Sequence, residues 1–495
     1  KVQSASINSK QNAIWAAGLD QDGKLSQGDA TLNINAQKVQ IAGKILSGSE
    51  IQIDAVQSAD LSLSENQAKN IKIQTQQFKT ESAKLIADQQ LDLTAAQNID
   101  NQKGQYSANQ INIDTNHLNN DQGLIQHTGQ NDFILNIADR IDNKTGKIIS
   151  NANNTEIKTN SLNSNAGEIL HAGNQQLKIT AQSLQGEQGT IQSNSKLQLE
   201  LGATNLDNAT TTAQNINLNV TSLSHQQGQL IQSDANGQLN VNVEQVLDNT
   251  SGVISAAGHA KIKTADLNNQ QGVIQSLAQK DLIIDSKTVE NASGKIIVGR
   301  DANLRVGQLN NDTGIVYADG KLDLQAEQNV SNQQGLIAAK QALSIKGQAL
   351  NNQKGQIQSE QSDVSVNLTK TINNQSGHIQ SAQALNIYSP NLNNNNGQLI
   401  SGADSQLNVT ELNNQAGTIY SKKQLDVNVS ATADNSVGTI AAEQNLNLNA
   451  QQLLNDAGQI RSENADATLN VVQSITNNTG LISASKDLNL TAQVV

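Results

Sequence analysis

A glycine returns along this chain at a period that an ordinary globular core would not impose. From Gly104 and Gly123 through Gly272, Gly355 and Gly417 to Gly480 there are 18 such anchors, most of them 20 to 22 residues after the one before. The gap of 39 between Gly189 and Gly228 is close to two periods, and LDNATTTAQNINLN inside it reads as a coil that has lost its glycine. A repeat of about 21 residues lies in the range of solenoid proteins, in which each repeat buries its apolar face only against its neighbours.

Three positions are phased on the glycine. Five residues before it the chain is apolar in all 18 cases, and only Ala433 is small. Two residues after it stands Ile, Leu or Val in 17 of 18, as at Ile125, Ile274, Ile357, Ile419 and Ile482, with Tyr106 the exception. Three residues before it stands Asn in 15 of 18, including Asn101, Asn120, Asn269, Asn352, Asn414 and Asn477; Ser164, Gly186 and His225 replace it.

Between the glycines the pattern has period two. In GTIYSKKQLDVNV, Ile419, Ser421, Leu425, Val427 and Val429 fall on one side and Thr418, Tyr420, Asp426 and Asn428 on the other, which is strand periodicity. The expected fold is therefore all-β, a parallel β-solenoid with two or three short strands per coil and aliphatic rows stacked inside. Roughly 23 coils about 4.8 Å apart would make an elongated rod on the order of 110 Å long. At the corner, Asn should tolerate unusual backbone angles and bond its amide to those of the coils above and below. Glycine should supply a positive φ or a close approach of chain. Residues 1–103 keep the alternation without the Asn-x-x-Gly corner and are read as the same solenoid with altered corners; residues 104–495 form the regular block.

Composition narrows the function. The chain has 495 residues, no Cys, no Met, one Pro and few aromatics (one Trp, four Tyr, two Phe), so its core must be thin and aliphatic. A formal charge of −12 without a basic stripe argues against nucleic acid as a partner. No apolar run is long enough to cross a bilayer, so no membrane insertion is expected. The start at Lys1 lacks the progression of a secretory signal, and the chain reads as a fragment. Absence of Cys excludes a disulfide framework without fixing the compartment.

No catalytic, cofactor or metal site is expected. His117, His225, His259 and His378 share no register, and His127 and His171, each four after its glycine, lie two coils apart, too far to chelate one metal. These histidines should face solvent or pack at corners. DQDG at Asp20–Gly23 lacks the further ligands of a calcium loop and reads as a β-turn. Trp15 and Phe133 are read as rings that seal or fill the solenoid, and Lys422 and Lys423 as a solvated loop.

The LNNxxGxIxS core followed by LxLxxxxLxN resembles the haemagglutinin repeats of filamentous haemagglutinins and of contact-dependent growth-inhibition exoproteins. IWAAGLDQDGKLSQGDATLNINA, residues 14–36, resembles the segment that leads into their first repeat block. The resemblance implies a right-handed parallel β-helix and export through an outer-membrane two-partner secretion transporter, engaged by a part not in this chain. It also implies a secreted shaft on the bacterial cell surface that carries a binding or toxic region. A receptor- or glycan-binding module is the alternative, with residues 186–228 or the first 103 as its expected surface. A β-helix polysaccharide-active enzyme and a disordered Gln/Asn-rich polymer fit less well, the first for want of a charge cluster and the second because its aliphatics would not be phased.

Overall fold

A computed structural model of the chain describes residues 2–26, 28–277 and 279–495. Among the described residues there is no helix, and the fold is a parallel β-solenoid of about 22 turns with a spacing near 21 residues. The chain divides into two compact units, Lys1–Val246 and Leu247–Val495.

In the first unit, long strands such as Thr31–Ser47, Ser64–Lys79, Lys84–Asp100 and Gln105–Asn119 lie side by side in parallel register. From Leu124 onward each coil opens with a four-residue strand, the first being Leu124–His127. Its second residue forms a buried column through Ile125, Ile148, Ile169, Ile191, Thr211 and Leu230. Thr211 belongs to the coil without a glycine, which folds as a normal turn of the solenoid.

The second unit repeats this plan more regularly. Ile357, Ile379, Leu399, Ile419, Ile440 and Ile460 stack in register and are buried. The longer strands add a column through Leu407, Val427, Leu448 and Leu469, and another through Leu392, Leu412, Ala433, Leu453 and Ile475. Parallel stacking places like residues on like, so a row of aliphatics closes a continuous core that no single coil could form. The alternation within a coil follows: Ile419, Ser421, Leu425, Val427 and Val429 are buried, while Thr418, Tyr420, Asp426 and Asn428 are half-exposed on the other face. Ile482 departs from the expected core. It pairs with Ile460 on one side only and is half-exposed, in the last four-residue repeat strand.

The frame of the corner extends upstream of residue 104. Ser64 N–H donates to Leu61 O at 3.1 Å and Ala83 N–H to Thr80 O at 3.0 Å, the same bond that Gly104 N–H makes to Asn101 O at 2.9 Å. The early coils use the same turn with other side chains.

Register predicts a sharp asymmetry between neighbours. Ile419→Asp buries a carboxylate among aliphatics and should cost about 3 kcal/mol or more. Thr418→Asp, on the outer face, should stay within about 1 kcal/mol. Urea unfolding of the two variants checks this, and equal effects would overturn the inward assignment.

Candidate functional site

The corner is the most constrained part of the molecule. Asn414 is fully buried. Its Nδ2 donates to Asn435 Oδ1 at 2.7 Å, Thr439 O at 3.2 Å and Gly417 O at 3.3 Å, and its Oδ1 accepts from Asn394 Nδ2 at 2.7 Å. The main chain is tied as well: Asn414 O accepts from Gly417 N–H, and Asn414 N–H donates to Asp434 O. Every polar atom of a buried residue is thus satisfied. In the second unit the amide ladder runs unbroken from Asn249 through Asn269 and Asn352 to Asn477. In the first it runs from Asn101 to Asn120 and Asn143 and ends on Ser164 Oγ at 3.1 Å.

Glycine and the left-handed backbone prove to be separate requirements. The positive φ falls on the residue before the anchor, at +48° to +59°, from Lys103 and Gln122 to Ala416, Val437 and Thr479. Neither the anchor glycines nor the ladder asparagines adopt it among the described residues; of the two roles expected of glycine only the close approach of chain is used, and the tolerance of unusual backbone angles expected of asparagine is not. With positive φ at its third residue, the four-residue turn has the pattern of type II. The left-handed residue enters the cross-coil bonding, as when Ala416 N–H donates to Ser436 O at 3.0 Å. The anchor must be glycine for want of room: a Cβ on Gly417 would overlap the Asn394 carbonyl oxygen and come within 2.6 Å of Asn414 Oδ1.

Exceptions to the pattern are coupled across adjacent coils. Tyr106, alone in lacking an aliphatic side chain two after its glycine, is fully buried and bonds Thr80 Oγ1 at 2.6 Å, where Thr80 holds the ladder position. Gly186 and Leu206 take the ladder position in successive coils, and a Cβ on Gly186 would lie 3.0 Å from Leu206 Cδ2. The space one coil gives up is filled by the next. Ala209 stands where the missing glycine would be, with Asn208 left-handed before it at φ +55°.

The opposite corner holds the paired histidines. His127, Ser150, His171 and Ser193 stack in register, all buried. His127 lies on the buried Phe133 ring at 5.0 Å, while His171 bonds Ser193 Oγ at 2.9 Å and Ala152 O at 3.0 Å. Burial pushes both imidazoles below their ordinary range, and for His171 the contacts with Ala152 O and Asn153 O act the other way. His225 is buried in the ladder row, and His117, His259 and His378 are partly exposed.

Two surface clusters bring together histidine, aspartate and arginine. Asp142 meets His117 at 2.9 Å and Arg140 at 2.8 Å. Asp281 takes the Arg300 fork, with Nε to Oδ1 at 2.6 Å, and lies 3.4 Å from His259; Arg300 holds its carboxyl below the usual range. Both clusters use their charges on one another. Among the described residues no group of three or more His, Asp or Glu could hold a metal ion. DQDG forms a hairpin turn, with Gly23 N–H on Asp20 O at 3.1 Å, and Trp15 is half-buried with its Nε1 on Ser9 Oγ at 3.1 Å.

Shallow grooves remain along the outer faces. One in the first unit, about 390 Å³, is lined by Glu200, Asn219, Asn242 and Glu244. One in the second, about 490 Å³, runs beside Asn408, Asn428 and Asn449.

Gly438→Ala should destabilise by more than about 2 kcal/mol, since its Cβ would strike the Asn414 carbonyl. Val437→Asn, one residue earlier at φ +59°, should stabilise by about 1 kcal/mol because Asn tolerates the left-handed region and a β-branched residue does not. Thermal unfolding of both variants separates the two requirements. For the histidines, the folded chain binds protons less readily than the unfolded chain. Stability should be level above pH 6.5, the ordinary value, and fall as pH drops below it. His127→Ser with His171→Ser should flatten the urea midpoint between pH 7.5 and about 5, where carboxylates begin to titrate.

The haemagglutinin repeat family model matches residues 128–184, 172–243, 232–288, 276–333, 317–364, 361–435, 420–469 and 462–495. No curated protein and no solved structure matches the chain. The eight matches run without a gap from residue 128 to 495, well over half the chain. They fall on the coils whose corners and core rows are described above, and the chain belongs to the haemagglutinin-repeat family of the filamentous haemagglutinins.

Proposed function

We propose that this chain is a non-enzymatic shaft segment of a large secreted filamentous adhesin or contact-dependent inhibition exoprotein displayed on the bacterial surface. The segment would carry a binding or toxic region toward target cells. Export would use an outer-membrane two-partner secretion transporter, engaged by another part of the protein. The observation that supports this reading most is the use of the repeated side chains. Asn, Gly and the aliphatics that recur in nearly every coil satisfy one another inside the solenoid, so the repeat spends its chemistry on extension. No helix among the described residues is long and apolar enough to cross a membrane.

A second reading, a receptor- or glycan-binding module within the filament, draws on one observation. Residues 186–228, where the ladder is interrupted, contribute Glu200 and Asn219 to the groove of the first unit.

Two measurements distinguish these readings. Removing residues 273–314 from the parent protein deletes two whole coils, from just after Gly272 through Gly314. Display and target-cell binding should persist, because stacking energy depends on nearest neighbours. The purified chain should not compete with the parent filament for its target cell. Competition would favour the module, and loss of display after an in-register deletion would count against the shaft.

A further inference from the structure

The outer face of the second unit changes character along its length. One outward row of the longer strands passes through Lys263, Asp285, Arg305 and Lys346, in register. The same row then continues through Asn367, Tyr388, Asn408, Asn428, Asn449 and Asn470 without a charge. In the adjoining outward row, over the same coils, Asp426 is the one charged residue. Its carboxylate accepts amide bonds from Gln424 at 2.9 Å and Asn447 at 2.7 Å. The amides form an external ladder: Asn428 donates to Asn408 at 3.1 Å, Asn449 to Asn428 at 2.7 Å and Asn470 to Asn449 at 3.1 Å. Tyr388 joins the adjoining row by donating to Gln406 Oε1 at 2.9 Å. Beside the ladder lies the groove noted above, which includes Val409 and Val429 and is flanked by Pro390, Thr410 and Ser430.

We propose that this face docks a second copy of the chain, the two faces meeting about a two-fold axis between Asn428 and Asn449. The inference goes beyond the shaft reading, since an extended segment needs no such face. Charged side chains, lysine above all, are what keep exposed sheet surfaces apart, and this row carries them until Lys346 and then loses them. The ladder amides are already ordered by one another, so docking costs little side-chain entropy. A surface repeating every 4.8 Å or so is matched over many coils by another surface with the same repeat, and a second copy has it by construction. The six coils about 4.8 Å apart that pair about this axis, from Tyr388 to Asn470 and on to Thr491, across outward rows spanning about 20 Å, offer roughly 600 Å² per partner, somewhat below the 800 Å² of a standard interface. The dimer should therefore be reversible. A two-fold contact uses the same patch twice and closes at two copies. Sliding the copies toward greater overlap would carry Lys346 and then Arg305 over the partner's neutral row, and sliding them apart would shorten the contact, which disfavours other registers.

Sedimentation equilibrium of the full chain should show a monomer–dimer equilibrium. Asn428→Lys with Asn449→Lys should weaken it at least about tenfold through like-charge repulsion. Gln325→Lys, in the charged stretch of the same row, should leave it unchanged. Lysine already occupies this row at Lys263 and Lys346, so folding should be preserved, as far-ultraviolet circular dichroism would verify. Because the chain has no cysteine, an Asn428→Cys variant mixed with an Asn449→Cys variant, the two positions that face each other across the axis, should form a disulfide-linked dimer under mild oxidation, and Gln325→Cys mixed with either should not. A chain that stays monomeric up to its solubility limit and gives no cross-link overturns the proposal, as does a dimer that survives both lysines. Retention on a neutral polysaccharide, lost in the lysine variant of a monomeric chain, would assign the face to carbohydrate and overturn it too.

Discussion

Both units depend on keeping a buried primary amide satisfied at corner after corner. Asparagine suits this because one planar group carries two donors and an acceptor. It can therefore bond the coil ahead, the coil behind and its own turn at once. Aspartate would place a charge every coil in a dry interior, and alanine would strand the partners of two neighbours. The ladder also fixes register. A one-residue slip in a strand would turn its aliphatics outward, and a pinned corner forbids the slip. Coil length can then vary elsewhere: Gly104 to Gly123 spans 19 residues and Gly123 to Gly146 spans 23, the extra residues lying on either side of Phe133–Asn136, between Leu124–His127 and Arg140–Asp142.

The stacked rows were legible in the sequence because parallel coils put the same chemical demand on the same position every turn. Ile419, Leu412 and Asn414 could be placed from phase alone. The left-handed residue was not legible. Its requirement is on the backbone, and its side chain is not packed in the core, so Gln, Lys, Ser, Thr, Ala and Val all occupy it and leave no compositional trace. Glycine drew attention because it recurs, yet it recurs for its missing Cβ. The same confusion hid the corners at Leu61–Ser64 and Thr80–Ala83, which share the turn without sharing a single side chain with Asn-x-x-Gly.

Irregular coils were readable only in part, for a related reason. Sequence shows that Tyr106, Gly186 and His225 break the pattern. It does not show that Tyr106 reaches Thr80, 26 residues away, or that the space over Gly186 belongs to Leu206. These are contacts between successive coils, and they become visible when the exceptions are read down a column instead of along the chain. The histidine pair was placed by register, but its burial follows from the second corner, where its neighbours in the stack are buried serines. Position fixed the solvent exposure that residue type alone would have misjudged.

Interior and corner together occupy close to half of each coil, and what they demand is the same everywhere. The outward rows carry no such demand: charged, amide and aromatic side chains all fit there, as Lys263, Asn428 and Tyr388 do in one row. Variation on that face is therefore where chemistry beyond the scaffold can be written. A random outward row would scatter its charges. One that carries four between Lys263 and Lys346 and none from Asn367 to Asn470, while its amides knit into a second ladder in solvent, departs from what folding requires. The buried ladder holds the coils in register, and the exposed one repeats its chemistry where no fold needs it. That places the distinctive feature of this chain on its flank, away from the Asn-x-x-Gly corners that dominate its sequence.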